Sequence, residues 1–201
     1  MFRDHSLAPA EALRLAALGM LAEAPRRYGD LAAEIRHFAT RIVGPTLELM
    51  GTSLEVLRYE GLVEAVNGRG MEDNAMLQIT ASGRAALFEL LRAGLRMPLN
   101  QFNKLFLAIK LRFLHLLAPA EQVQQLRLVA EWYRSELERL EELRHHHAES
   151  SRLFLGWLEQ ETAQIRTRLG WLLATAAEIA DKEAGAQAEQ GPKRESGPQG
   201  E

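Results

Sequence analysis

The 201-residue chain carries 24 basic and 27 acidic side chains, a formal net charge of −3, with 47% hydrophobic and 25% charged residues and no cysteine. That apolar content is ordinary for a folded chain of one domain or two small ones. The missing cysteine excludes a disulfide framework, a thiol nucleophile and a Cys-type zinc site, and a balance near zero but leaning acidic is not the usual footprint of a nucleic-acid binder.

The opening MFRDHSLAPA lacks the continuous apolar core of a signal peptide, and no run approaches 18 apolar residues, so no membrane span is expected and a cytoplasmic location is. From Ala8 to Ala22, Leu13, Ala17, Leu18, Met20 and Leu21 recur at helical spacing and Pro25 ends the run. A second helix fits Tyr28 to Phe38, with Leu31, Ile35 and Phe38 on one face. After the Gly44-Pro45 break, Thr46 opens a third, with a stripe of Leu47, Met50, Leu54 and Leu57 that ends at Gly61, a natural left-handed cap position. The period then changes: residues 62–66 and 75–79 read as short strands flanking the Gly- and Asn-rich turn NGRGMEDN. Thr80-Ala81-Ser82-Gly83 launches a fourth helix, Arg84 to Leu95. Three helices, a hairpin and a helix are the element order of a winged helix-turn-helix.

Beyond Pro98 the chain is helical again. Phe102, Leu105, Phe106, Ile109, Phe113 and Leu116 form an apolar stripe stopped by Pro119. Val123, Leu126, Ala130, Tyr133, Leu137 and Leu140 alternate spacings of three and four, a coiled-coil seam, and Phe154, Leu158, Ile165, Leu169, Leu172, Ala176 and Ile179 repeat the theme. These helices have too little company in one chain to cover their seams, which predicts a homodimer. The expected fold is mainly α: a winged helix-turn-helix domain over 1–95, a long-helix antiparallel or coiled-coil dimerisation domain over 96–180, and a disordered tail over 181–201, where no large apolar residue follows Ile179.

These residues resemble the PadR family of bacterial transcriptional regulators over most of 10–180. The most specific piece is residues 77–87, LQITASGRAAL, similar to the strand, Thr-x-x-Gly turn and helix that close the PadR wing. Residues 54–63, LEVLRYEGLV, resemble the end of the recognition helix. Residues 18–31 resemble the first two helices, with the usual Gly-Tyr pair reversed to Tyr28-Gly29. Gly156-Trp157-Leu158 to Gly170-Trp171-Leu172 resembles the dimerisation helices. One departure falls on the recognition helix: where PadR proteins begin with a Gly-Thr-Leu-Tyr-Pro-like run, this chain has Glu48-Leu49-Met50-Gly51-Thr52.

The resemblance implies a repressor that binds a palindromic double-stranded operator as a homodimer and is released by an aromatic small-molecule effector at the dimer interface. A recognition helix meets base edges with the face opposite its core stripe, here Glu48, Gly51, Thr52, Glu55 and Tyr59, with Arg58 at the edge. That face is acidic. Residues 1–95 hold 10 Arg, no Lys and 12 acids, so cationic contacts must come from Arg26, Arg27, Arg36 and Arg58 and from Arg69 in the wing, joined by Tyr28, Thr46 and Thr52. A second reading therefore stays open, a protein-interaction module that keeps the winged fold but has lost or weakened DNA binding. Trp132, Tyr133, Phe154, Trp157 and Trp171 are the dimer-core aromatics that would line an effector pocket.

No enzyme is expected, since no nucleophile elbow, phosphate-cradling loop or metalloprotease helix occurs, and no cofactor is implied. His145-His146-His147 is not expected to bind a metal, because consecutive helical residues point about 100° apart.

Overall fold

Helix α1 (Pro9–Glu23) buries residues around almost its whole circumference, among them Leu13, Leu15, Leu18, Met20 and Leu21. A helix apolar on all sides belongs at the centre of a unit. In the computed structural model, which describes residues 9–44, 51–66, 74–94 and 101–189, α1 packs against α2 (Tyr28–Val43), α3 (Gly51–Tyr59), α4 (Ala81–Arg92) and α5 (Gln101–Phe113). The chain divides into two units, Met1–Leu117 and Ala118–Glu201.

The first unit is a winged helix. Its sheet is antiparallel with order β1-β3-β2, formed by β1 (Arg26–Arg27), β2 (Val63–Ala65) and β3 (Met76–Ile79). Leu77 in the central strand pairs with Arg26 on one side and Ala65 on the other and is fully buried. The hairpin strands lie within the expected segments. β1 was not expected: it exists because Arg26 and Arg27 run extended beside β3 just before α2 begins, with Tyr28 N–H donating to the Ala75 carbonyl at 2.9 Å. The expected start of the third helix at Thr46 and the wing turn over 67–73 lie outside the described residues.

Thr80 explains why the Thr-x-x-Gly sequence closes the wing. Its hydroxyl accepts the Gly83 N–H at 3.0 Å, capping α4, and donates to the Gly61 carbonyl at 2.7 Å, while its own N–H donates to the Leu62 carbonyl at 3.1 Å. The start of α4 is thereby tied to the turn that follows α3. Gly61 sits at φ +71°, the left-handed position read from the sequence.

The division between the units falls after Leu117 and not at 95/96. The α5 stripe of Leu105, Phe106, Ile109 and Phe113 is buried with the winged helix, against α1 and α2. Periodicity shows that a face is buried, but not against what. Gly19 allows the close approach, since a Cβ there would stand 2.5 Å from the Phe113 ring.

Lys110 adds a polar link between α5 and α4. It is 2% exposed, and its Nζ donates to the Ala93 carbonyl at 2.6 Å, where α4 ends. Burial pulls its ammonium down from 10.5 to about 8. Below pH 8 both folded and unfolded chains are protonated, and the cost of burying the charge is carried in full. Between pH 8 and 10.5 the unfolded chain holds a proton that the folded chain has released, so stability rises with pH across that window. Urea unfolding of the wild type against Lys110→Met is expected to show a relative gain for the wild type of up to about 3 kcal/mol over that range. Parallel pH profiles would contradict it.

The second unit is an antiparallel pair, α6 (Pro119–His146) and α7 (Arg152–Glu189). Pro119 opens α6 at its first turn, where a missing N–H costs nothing, and the Glu121 carboxylate accepts the Ala118 N–H at 3.3 Å. Val123, Leu126, Ala130, Tyr133 and Leu140 of the expected seam are buried, as are Leu158, Ile165, Leu172 and Ala176 on α7. α7 continues to Glu189, past the expected end at 180. Residues 181–189, DKEAGAQAE, are mostly good helix formers and extend the helix, and none of residues 181–187 is buried. The rest of the expected tail, 190–201, lies outside the described residues.

Candidate nucleic-acid interface

α3 buries Leu54 and Leu57 against the unit and turns Glu55, Val56, Arg58 and Tyr59 outward. Tyr59 is 95% exposed and Val56 43%. At about 100° per residue, Glu55, Val56 and Tyr59 occupy the face opposite the two leucines. Val56 was missing from the sequence reading of this face. The signal was available in its angular position, 200° beyond Leu54, but an apolar side chain next to core leucines does not announce itself as a surface group.

The arginines of this unit divide into two groups. Arg26 is turned inward: its guanidinium donates from Nη1 to Glu34 at 2.5 Å, lies 3.7 Å from Glu23, and donates from Nε to the Met20 carbonyl at 3.4 Å. Arg112 on α5 joins the same carboxylates, 3.5 Å from Glu23 and 3.6 Å from Glu34. Arg26 therefore belongs to a four-membered charge cluster binding β1, α1, α2 and α5. Arg27 is exposed and donates to Asn74 Oδ1 at 2.9 Å, at the root of the wing. Arg14 pairs with Glu60, which removes one carboxylate from the surface charge beside α3.

Arg36, Arg41 and Arg58 are different. All three are exposed, and among the described residues no ion pair engages them. Tyr28 is half-buried at the first position of α2. Thr52 lies in the first turn of α3, and Thr46 and Arg69 lie outside the described residues.

The five aromatics do not gather into one chamber. Trp132 and Tyr133 meet edge to face in α6, with centroids 4.7 Å apart. Phe154 and Trp157 stack at 6.0 Å near the start of α7, next to His147 at the end of α6. The thirteen residues from Tyr133 to His146 span about 20 Å of helix. Trp171, 53% exposed, contacts no other ring among the described residues. Burial raises the Tyr133 hydroxyl above its ordinary value while the Arg168 guanidinium, which hydrogen-bonds it, opposes the shift. The Trp132 indole N–H is buried without an acceptor among the described residues. A cavity of about 470 Å³ opens instead beside Arg139, Glu142, Leu143, His145 and His146. Among the described residues, no three His, Asp or Glu side chains are placed to hold a metal, and no helix is long and apolar enough to cross a membrane.

The sequence profile of the AphA-like transcriptional regulators matches residues 2–176. No curated protein sequence matches. Among solved structures, PadR of Bacillus subtilis in complex with p-coumaric acid is similar at 16% identity, covering 87% of this chain and 99% of that one, with a TM-score of 0.37. The same protein in complex with operator DNA gives 18% identity, 83% and 98% coverage and a TM-score of 0.35. The PadR-like regulator BC1756 from Bacillus cereus gives 14% identity, 85% and 99% coverage and a TM-score of 0.37.

Proposed function

The chain belongs to the AphA-like transcriptional regulators, a family of regulators and not of enzymes, and from that premise we propose that it represses transcription in the cytoplasm by binding palindromic operator DNA as a homodimer. The observation that carries the reading is the set of exposed arginines, Arg36, Arg41 and Arg58, unpaired among the described residues while Arg14 and Arg26 are committed to carboxylates. Paired arginines near a surface hold their own fold together; unpaired ones remain available to phosphates. Arg27 at the wing root, Thr52 in the first turn of α3, and Thr46, Tyr28 and Arg69 complete the proposed contact set. Arg26 contributes to it by holding β1 in place.

The dimer is proposed from α7. Trp157, Gln164 and Trp171 are spaced by sevens and exposed, on a different face from the buried Leu158, Ile165 and Leu172. A second copy laid along that row would cover both indoles. Light scattering is then expected to give twice the 22.5 kDa chain mass. An aromatic effector is proposed to act at Trp132 and Tyr133, where the unsatisfied indole N–H and Arg168 supply polar anchors beside flat apolar rings; Phe154, Trp157 and Trp171 are proposed to close the site in the dimer.

Titration of the purified protein against fluorescent duplex from its own upstream region tests the reading. Binding is expected to weaken steeply with salt, and Arg36→Ala to weaken all sequences alike while flattening the logarithmic salt slope by about 0.9 for each phosphate that is no longer neutralised. No binding at low ionic strength would overturn it in favour of a winged fold that serves protein interaction.

A further inference from the structure

We propose that Val56 reads the methyl group of a thymine in the major groove; the inference rests on the DNA-binding reading and deepens it to the recognition of one base. Val56 stands on the outward face of α3, 43% exposed, with Glu55 before it and Tyr59, 95% exposed, one turn beyond. A solitary exposed valine on an ordinary surface needs no explanation. This one stands where a polar side chain would be the better helix former, on the face opposite Leu54 and Leu57 that a recognition helix presents to base edges.

The chemistry of this face restricts what it can read. Arg58, at the edge of the face, carries its one guanidinium; Glu55, Val56 and Tyr59 carry no guanidinium, ammonium or amide, so none of these three makes the paired hydrogen bonds that identify guanine or adenine. The one apolar group that the major groove offers is the C5 methyl of thymine, and a branched aliphatic side chain matches it without an unsatisfied polar partner. Glu55, the neighbouring carboxylate, accepts only from an exocyclic amino group, cytosine N4 or adenine N6. The recognised edge has a thymine under Val56.

The test uses the full-length protein. A preferred duplex is first selected from a random-sequence pool and then resynthesised with deoxyuridine replacing each thymidine in turn, which removes the methyl and leaves every hydrogen bond. The wild type is expected to lose about fourfold in affinity per half-site at one position, the value of one buried apolar carbon. Val56→Ala is expected to bind the thymidine and deoxyuridine duplexes equally, with an unfolding curve that shows the fold intact. Val56→Thr, which keeps one methyl, should retain part of the difference. A selected duplex that binds with no deoxyuridine effect, or with an effect that survives in Val56→Ala, overturns the assignment and leaves DNA binding standing. Failure of the pool to enrich any sequence overturns both.

Discussion

Replacing Gly83 with alanine is expected to lower the stability of the winged-helix unit by about 3 kcal/mol, at the upper end of overpacking costs, and its melting temperature by roughly 10 °C or more. The new Cβ would be driven into the Leu62 carbonyl oxygen and would meet Ile79 Cγ1 at 2.9 Å. Ile79 can turn aside, but the Leu62 carbonyl cannot, because it accepts the Thr80 N–H. The clash therefore opposes the same residues that Thr80 draws together. Thr80→Ala should cost less, about 1 kcal/mol, the value of a lost helix cap. A melting curve for Gly83→Ala that overlays the wild type would show that α4 and the turn after α3 part without penalty, and that the wing is anchored elsewhere.

Phe113→Ala is the second large effect, at about 3 to 5 kcal/mol for a fully buried aromatic. Its ring fills the gap left by Gly19 on α1 and lies beneath the Arg112 guanidinium, 5.0 Å from the ring centroid. The ion pairs of Arg112 with Glu23 and Glu34 are partly exposed, and such pairs contribute no more than about 1 kcal/mol. Packing of the ring, not the charge cluster, attaches α5 to the winged helix. Denaturant unfolding that ranks Arg112→Ala as damaging as Phe113→Ala would reverse that assignment.

Most of the helical order was legible because α-helices advertise themselves by period: the core positions Leu31, Ile35, Leu54, Leu57, Leu105 and Ile109 repeat at the spacing that buries one face. Gly61 and the Thr80 to Gly83 turn were legible because a backbone geometry demands those residue types. β1 was not, since two arginines carry no strand preference and become one only through pairing with β3. The unit boundary after Leu117 was hidden for a related reason, the partner of the α5 stripe being distant α1 and α2. The site suffered most from distance: Arg26 looks like any surface arginine until Glu34 and Arg112 are brought around it.

The three-strand sheet has a consequence for how such a wing can change. Its register is set below the turn, by β1 on one side of β3 and β2 on the other, with Arg27 fastened to Asn74 where the turn departs. Residues added between Val66 and Asn74 would lengthen that connection while α2, α3 and the sheet keep their places. The length of that connection and the footing of the sheet are thereby separate variables, so one can change by insertion without remodelling the domain.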